Sequence, residues 1–175
     1  MSAAAGVVLA FPVAGAQAAF PGANGRIAFT SEEFVWPPPE IGEPPHPGVD
    51  PDLVSSRIET VLPSGRGRRV LGTCPAGARC FDSDPAWSRS GDWLAFVSHW
   101  QSDPNEMPDR IALVRSDGSG LHRLPALTWG HLTPAWSPDG RRLSFASRAS
   151  LGLYTVRSDG TGLRSIAPDA QPWSA

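Results

Sequence analysis

The sequence is poor in charge: Lys, Arg, Asp and Glu make up 18% of its 175 residues, and the formal net charge at pH 7 is −2. With a pI near 6.0, it lacks a basic footprint for nucleic acid and a polybasic patch for anionic lipid. Helical spacing of apolar residues is also missing, whereas glycine (18) and proline (19) are abundant. Turn-forming residues between short apolar runs favour an all-β fold.

Sequence motifs of common hydrolases are absent as well. The chain has no G-x-S-x-G nucleophile turn and no H-E-x-x-H metal motif. Its four histidines, His46, His99, His122 and His131, do not have the spacing of metal ligands. We therefore predict a non-enzymatic protein without a metal ion or cofactor.

Only two cysteines are present, Cys74 and Cys80, and they enclose the five residues Pro75–Arg79. If the chain is exported, a disulfide closing this small loop is expected. Two free thiols in a loop are the alternative. A zinc site is disfavoured because two cysteines at this spacing, without a nearby histidine, do not supply a tetrahedral ligand set.

The first nineteen residues are small and apolar. Ala3–Val13 suits the core of a secretory signal, and Ala16–Ala18 followed by Ala19 offers a small-x-small cleavage site. The stretch is too short to span a bilayer, and no basic residue precedes Arg26, which departs from an ordinary signal peptide. We predict a signal peptide at residues 1–19 and a secreted, periplasmic or cell-envelope location. An Ala-rich tail is the alternative.

One stretch of the sequence occurs twice, with a tryptophan, a turn and an apolar run in the same order. "DPAWSRSGDWLAFVS" begins at Asp84, and "TPAWSPDGRRLSFAS" begins at Thr133. Repeats of roughly forty residues indicate a solenoid or propeller. The repeats predict a first blade at 24–71, a second at 84–124, a third at 133–166 and the start of a fourth at 171–175.

Each repeat reads as four short strands, which in the third blade are Thr133–Ser137, Arg142–Ala146, Leu153–Arg157 and Leu163–Ile166. Asp-Gly pairs between strands suit tight turns, since aspartate bonds its own following backbone and glycine accepts positive φ. This turn chemistry, rather than calcium binding or acid–base catalysis, explains Asp117–Gly118, Asp139–Gly140 and Asp159–Gly160.

The second strand of the second blade is apolar on consecutive residues, Leu94–Val97. A strand with one face in water alternates, so this strand must be covered on both faces. Stacked propeller blades provide that cover. The repeated tryptophans, Trp87, Trp136 and Trp173, are then expected to fill the space between blades rather than to stack on a ligand.

The third copy, "PAWSPDGRRLSFAS…LYTVRSDGTGLRSI", resembles the WD-like repeat of TolB-type β-propellers, and the resemblance covers roughly residues 24–175. The second copy departs from it, with Arg89-Ser90-Gly91 in place of Pro-Asp-Gly, and the first departs further. The resemblance implies periplasmic or secreted proteins that bind partners, or non-catalytic propeller domains attached to hydrolases. It determines architecture better than function.

The predicted fold is thus an all-β partial propeller of about three four-stranded antiparallel blades. The first blade lacks its first strand, and Gln171–Ala175 supplies one extra first strand. Propellers close with four to eight blades. Two interpretations remain open: a fragment of a longer propeller, or half of a six-bladed ring in which two chains form a homodimer.

Propeller geometry places the long connections at one end of the blades. They comprise a Pro-rich insert at 32–55, the cysteine loop, and the segments that follow the second and fourth strands of the second blade. Rigid scaffolds commonly carry functional loops in this way. The candidate partner-binding residues at this end are Trp36, His99, Trp100, Trp129 and His131. Alternatively, these tryptophans pack against blade edges and the insert is a spacer.

The predicted function is a scaffold that binds a protein or envelope component, without nucleic acid and without a membrane span after signal removal. The alternative is the propeller part of a larger hydrolase-type enzyme, where it gates or positions substrate. Carbohydrate stacking on Trp100 and Trp129 is a third hypothesis.

Overall fold

The computed structural model describes residues 25–35, 52–72, 74–76, 78–101, 109–125, 131–147 and 152–167. Within these ranges the chain forms eleven strands and no helix, and so no helix that could cross a membrane. The predicted signal peptide, most of the Pro-rich insert and the predicted fourth-blade strand lie outside the described residues. The strands are β1 (Ile27–Val35), β2 (Asp52–Val61), β3 (Arg69–Leu71), β4 (Arg79–Trp87), β5 (Trp93–Gln101), β6 (Arg110–Arg115), β7 (His122–Arg123), β8 (His131–Trp136), β9 (Arg142–Ser147), β10 (Gly152–Arg157) and β11 (Arg164–Ala167).

The second and third blades are four-stranded antiparallel sheets. The second runs in the order β4-β5-β6-β7, and the third in the order β8-β9-β10-β11. In both blades the second and third strands pair without interruption, and a register shift interrupts the pairing of the first with the second. The prediction of an all-β partial propeller is confirmed.

Tight turns join the strands because aspartate side chains bond the backbone two residues further on. Oδ1 of Asp139 accepts the N–H of Arg141 at 3.0 Å, and Oδ1 of Asp159 accepts that of Thr161 at 2.8 Å. Gly160 has a φ of +83°, and a Cβ at this position would lie 2.7 Å from Cδ of Pro125. The aspartate contacts are those of a turn, because each carboxylate accepts a hydrogen bond from the backbone of its own turn.

The first blade has three strands, with β1 paired to β2 and β2 paired to β3. No first strand lies beside β1 among the described residues. β4 of the second blade instead reaches β2 through one parallel bridge, Ser56 to Phe81, so the first two blades form one seven-stranded sheet. This junction differs from three separate blades, because one parallel bridge makes the first two blades continuous.

Two apolar clusters hold the blades together, and β5 contributes to both. Leu94 and Phe96 lie between the first and second blades with Ile58 and Leu71, and Ala95 lies between the second and third. Leu94, Ala95, Phe96 and Val97 are all buried. The consecutive apolar residues of this strand are therefore explained by cover on both faces.

The repeated tryptophans lie against these clusters. Trp87 packs on the first cluster and Trp136 on the second, each partly buried. Nε1 of Trp136 donates to the carbonyl of Ala86 at 3.0 Å, which joins the inner strands of neighbouring blades. Trp173 lies outside the described residues.

The connections separate to two ends of the blades. The turn end carries the short turns after β2, β4, β6, β8 and β10, and backbone bonds join successive turns there: Ser116 N to Asp92 O at 2.9 Å and Ser158 N to Arg141 O at 3.0 Å. The opposite end, called the long-loop end below, carries the segments after β1, β3, β5, β7 and β9. Variation in loop length is therefore concentrated at one end.

Candidate functional site

A cleft opens at the long-loop end between the first and second blades. Its volume is about 440 Å³. Apolar side chains and the cysteine loop form its walls, charged side chains stand at its mouth, and a buried aspartate lies at its base. The residues that define this cleft for the discussion below are Glu33, Arg57, Leu71, Cys74, Arg79 and Asp82.

The cysteine loop is closed by the predicted disulfide, which is confirmed. Cys74 and Cys80 are bonded with a Cα–Cα distance of 5.8 Å, within the ordinary range for a disulfide. Cys74 is exposed, whereas Cys80 is buried in β4 directly opposite Trp100 of β5. The bond therefore ties the wall of the cleft to the inner strand of the second blade.

Removing this disulfide is expected to lower the free energy of unfolding. The two cysteines are six residues apart, and closing a loop of this size restricts the unfolded chain by about 2 kcal/mol. Urea unfolding of the Cys74→Ala/Cys80→Ala variant, compared with the parent chain, measures the loss. Adding a thiol reductant should destabilise the parent and leave the variant unchanged. Equal stability of parent and variant would contradict the prediction.

Asp82 is the buried charge of the cleft. It is 8% exposed, and its cross-strand partner on β5 is Ser98. Burial raises the pKa of Asp82 to about 6, while the hydrogen bond with Ser98 and the positive charge of Arg123 oppose that shift. Its Oδ1 atom has no hydrogen-bond partner. A buried carboxylate that lacks a full set of partners is costly to keep ionised.

Arg123 and Trp100 form the outer part of the same blade face. The Arg123 guanidinium lies 4.2 Å from the centroid of the Trp100 ring, and its Nη2 donates to Ser98 O at 2.7 Å. Burial, and then the neighbouring Arg110, lower the pKa of Arg123. One face of the Trp100 ring is thus already covered by an arginine, which leaves only the other face for a ligand.

His99 occupies the opposite face of the same blade. Its Nδ1 lies 2.9 Å from Oδ1 of Asp109, and its ring meets Phe81 edge-on at 5.9 Å. Because successive side chains of a strand point to opposite faces, His99 and Trp100 share the long-loop end without sharing a surface. The sequence grouped the two by position along the chain and missed this separation.

The remaining predicted partner-binding residues are only partly placed. Trp36 and Trp129 lie outside the described residues. His131 begins β8 at the long-loop end, but its side chain is outside the described part of the structure. Within the described ranges no three His, Cys, Asp or Glu side chains come together as a metal site.

Four residues of the cleft and its surroundings were missed by the sequence analysis: Arg57, Arg79, Asp82 and Arg123. None belongs to a recognisable motif. Asp82 and Arg79 belong to β4, but they lie in its first half, which precedes the "PAWS" motif and carries no repeat signal. A polar residue at a buried strand position was the only available sign, and burial could not be read from the sequence.

No family model matches the sequence, but solved structures share its fold. TolB from Acinetobacter baumannii aligns with a TM-score of 0.54 and 18% identity over 81% of this chain. A gluconolactonase from Xanthomonas campestris aligns with 0.51 and 19% over 92%. A chain of the nidogen/laminin complex aligns with 0.52 and 17% over 68%.

These similarities show the fold, which is that of a β-propeller, as in TolB. The present chain spans 29% of the length of that TolB, 51% of the gluconolactonase and 43% of the nidogen/laminin chain. Since fold does not determine function, the three proteins contribute architecture, and the chemistry must be argued from the residues of this chain.

Proposed function

We propose that this chain is an exported, non-catalytic β-propeller scaffold that binds a protein or cell-envelope partner through its long-loop end. The cleft of about 440 Å³ between the first two blades is the observation that supports this function. It is held open by rigid elements, with β2 and β3 on one side and β4 and the disulfide on the other. A preformed concave site on a rigid scaffold lowers the entropic cost of binding.

The composition of the cleft suits a polypeptide partner. Leu71 and the disulfide supply apolar wall, and the ion pair of Arg57 with Glu33, at 3.3 Å, stands exposed at the mouth. Arg79 is exposed on the other side of the mouth. An apolar centre with a charged rim that includes arginine is the usual composition of a protein interface.

Export is supported by the cysteine chemistry. A disulfide between Cys74 and Cys80 is maintained in oxidising compartments and is rare where thiol reductants are abundant. A secreted or periplasmic location is therefore part of the proposal.

Site-specific photo-crosslinking tests the binding end. Benzoylphenylalanine is introduced at position 79, at the mouth of the cleft, and at position 161, an exposed residue of the turn end. Both chains are expressed in the cells of origin and irradiated. We expect a discrete crosslinked species from position 79 that is absent from position 161. Crosslinks of equal yield from both positions, or none from position 79, would contradict the proposal.

The second candidate is the propeller part of a larger hydrolase-type enzyme, where it would gate or position substrate. The match to a gluconolactonase over 92% of this chain favours this candidate. Hydrolysis of glucono-1,5-lactone by the protein recovered at its native length from its own cells separates the two. The scaffold proposal expects the uncatalysed rate, whereas saturable hydrolysis above that rate would favour the enzyme.

A further inference from the structure

The outward face of the first blade keeps the residues that blades of this protein use to dock on a neighbour. In the second and third blades, the face that packs on the preceding blade has three buried residues. Two of them are on the second strand, a branched aliphatic residue and a phenylalanine two residues later, and the third is a valine on the third strand. The first blade has the same residue types at the equivalent positions, and Ile27 there is 41% exposed. The three sets are Leu94, Phe96 and Val114; Leu143, Phe145 and Val156; and Ile27, Phe29 and Val61.

The outward face of the third blade resembles the face of the first blade on which the second blade packs. The first blade meets the second with Arg26, Ala28, Ile58 and Thr60, of which the last three are buried. The third blade carries similar residues at the equivalent register positions, with Leu153 37% exposed. They are Arg142, Ser144, Leu153 and Thr155. The face thus has the composition of a blade junction without its neighbour.

The outward face of the third blade also carries positive charge. On the third blade Arg142 and Arg157 stand directly opposite each other, and Arg164 lies opposite Thr155. No described carboxylate forms an ion pair with these three arginines. Like charges in direct cross-strand register destabilise a sheet. Glu59 on the outward face of the first blade is already paired with Arg68, and Glu33 with Arg57 at the mouth of the cleft, so the match between the two faces rests on their apolar residues.

The inner edge of the first blade is also incomplete. Trp87 holds the repeat position of Trp136, whose Nε1 donates to Ala86 on the first strand of the preceding blade. Nε1 of Trp87 is buried and has no hydrogen-bond partner among the residues that the structure describes. The preceding first strand, which would present the equivalent carbonyl, is missing beside β1 among the described residues. An unmet buried donor is unfavourable, and a strand added at this edge would satisfy it.

We infer that a second copy of this chain covers these surfaces. The outward face of the first blade of each copy docks on the outward face of the third blade of the other. Two such junctions, related by one two-fold axis, close a ring of six blades.

The oligomeric state of the full chain tests the inference. Sedimentation equilibrium between 1 and 100 µM is expected to give about twice the protomer mass, which is 18.6 kDa before any signal removal. Ile27→Asp and Leu153→Glu should each weaken the dimer by about 30-fold or more, as expected for anchors at an interface centre. Leu62→Glu is the matched control, since Leu62 is 40% exposed at the turn end and should leave the dimer intact.

Mixing the two weakened variants distinguishes this ring from other dimers. Chains with Ile27→Asp keep an unchanged third blade, and chains with Leu153→Glu keep an unchanged first blade. One unaltered junction therefore remains in the mixed pair, and dimerisation should partly recover. Thermal unfolding of each variant checks that the monomer is folded.

Three results would overturn the inference. A monomer at 100 µM would show that the chain covers these faces itself or leaves them exposed. A dimer insensitive to both substitutions would place the interface elsewhere. Failure of the mixture to recover would show that the first-blade and third-blade faces do not dock on each other.

Discussion

Replacing Phe96 with alanine is expected to lower the free energy of unfolding by about 3–5 kcal/mol. Phe96 is 1% exposed and lies in the cluster that joins the first blade to the second. The substitution removes the ring and leaves a cavity between two sheets that can close only by moving a whole blade. Urea denaturation monitored by tryptophan fluorescence measures the change.

Phe34 provides the matched control for this prediction. It is 45% exposed near the end of β1, so Phe34→Ala is expected to change stability by less than about 1 kcal/mol. A similarly small loss for Phe96→Ala would mean that the junction between the first two blades is not a packed core. The cleft could not then be held open as the proposed function requires.

The second large effect concerns Asp82 and pH. Its pKa is about 6 in the folded protein, against an ordinary value of 3.8. At pH values below the ordinary pKa, Asp82 is protonated in both the folded and the unfolded chain, so its ionisation does not lower the free energy of unfolding. As the pH rises through this window the unfolded chain releases its proton first, so stability falls until the folded-state pKa is passed. Two pH units correspond to roughly 3 kcal/mol.

Asp82→Asn removes the ionisable carboxylate. The free energy of unfolding of this variant, relative to that of the parent, should therefore rise by up to about 3 kcal/mol between pH 4 and pH 7.5. The pKa of about 6 already includes the opposing effect of the positive charge on Arg123. Differences between variant and parent cancel the titration of the other groups. Urea unfolding at several pH values measures the profile.

Asp84 supplies the control for the pH profile. It is exposed, two residues along the same strand, and adopts a φ of 53°, which asparagine also tolerates. Asp84→Asn, a substitution at an exposed site, should change the free energy of unfolding by less than about 0.5 kcal/mol. A profile for Asp82→Asn parallel to that of the parent would show that the Asp82 carboxylate is not held in a desolvated position at the cleft.

The assembly and the binding proposal are compatible. Blade junctions bury the faces of the sheets, whereas the cleft opens at the long-loop end of one junction. A two-fold ring would present two such clefts on the same end of the assembly, since every blade has the same orientation about the ring axis. A partner with two equivalent sites would then bind with increased avidity.

The accuracy of the sequence predictions follows from the range of the interactions involved. The four strands of the third blade could be located within about two residues because their turns are specified locally, by Asp-Gly pairs such as Asp139–Gly140. The two-sided cover of β5 was evident from four consecutive apolar residues. The disulfide followed from spacing together with the expectation of export.

Tertiary structure was needed wherever distant segments meet. The cleft combines β2, β3 and β4, and Asp82 is placed there by partners distant in the chain: its carbonyl accepts the Ser56 hydroxyl, 26 residues away, and it pairs with Ser98 of β5. The sequence placed His99 and Trp100 in one group, but strand alternation sends them to opposite faces. The single parallel bridge between the first two blades has no sequence signal at all.

The sequence by itself determined the repeat, the blades and the end of the molecule where long connections gather, because turn chemistry and strand periodicity act between near neighbours in the chain. Only the tertiary structure decided which polar groups are desolvated, which faces of the outer blades keep docking residues, and where a cavity opens. Those properties depend on burial, and burial is a collective result of blades packing against one another.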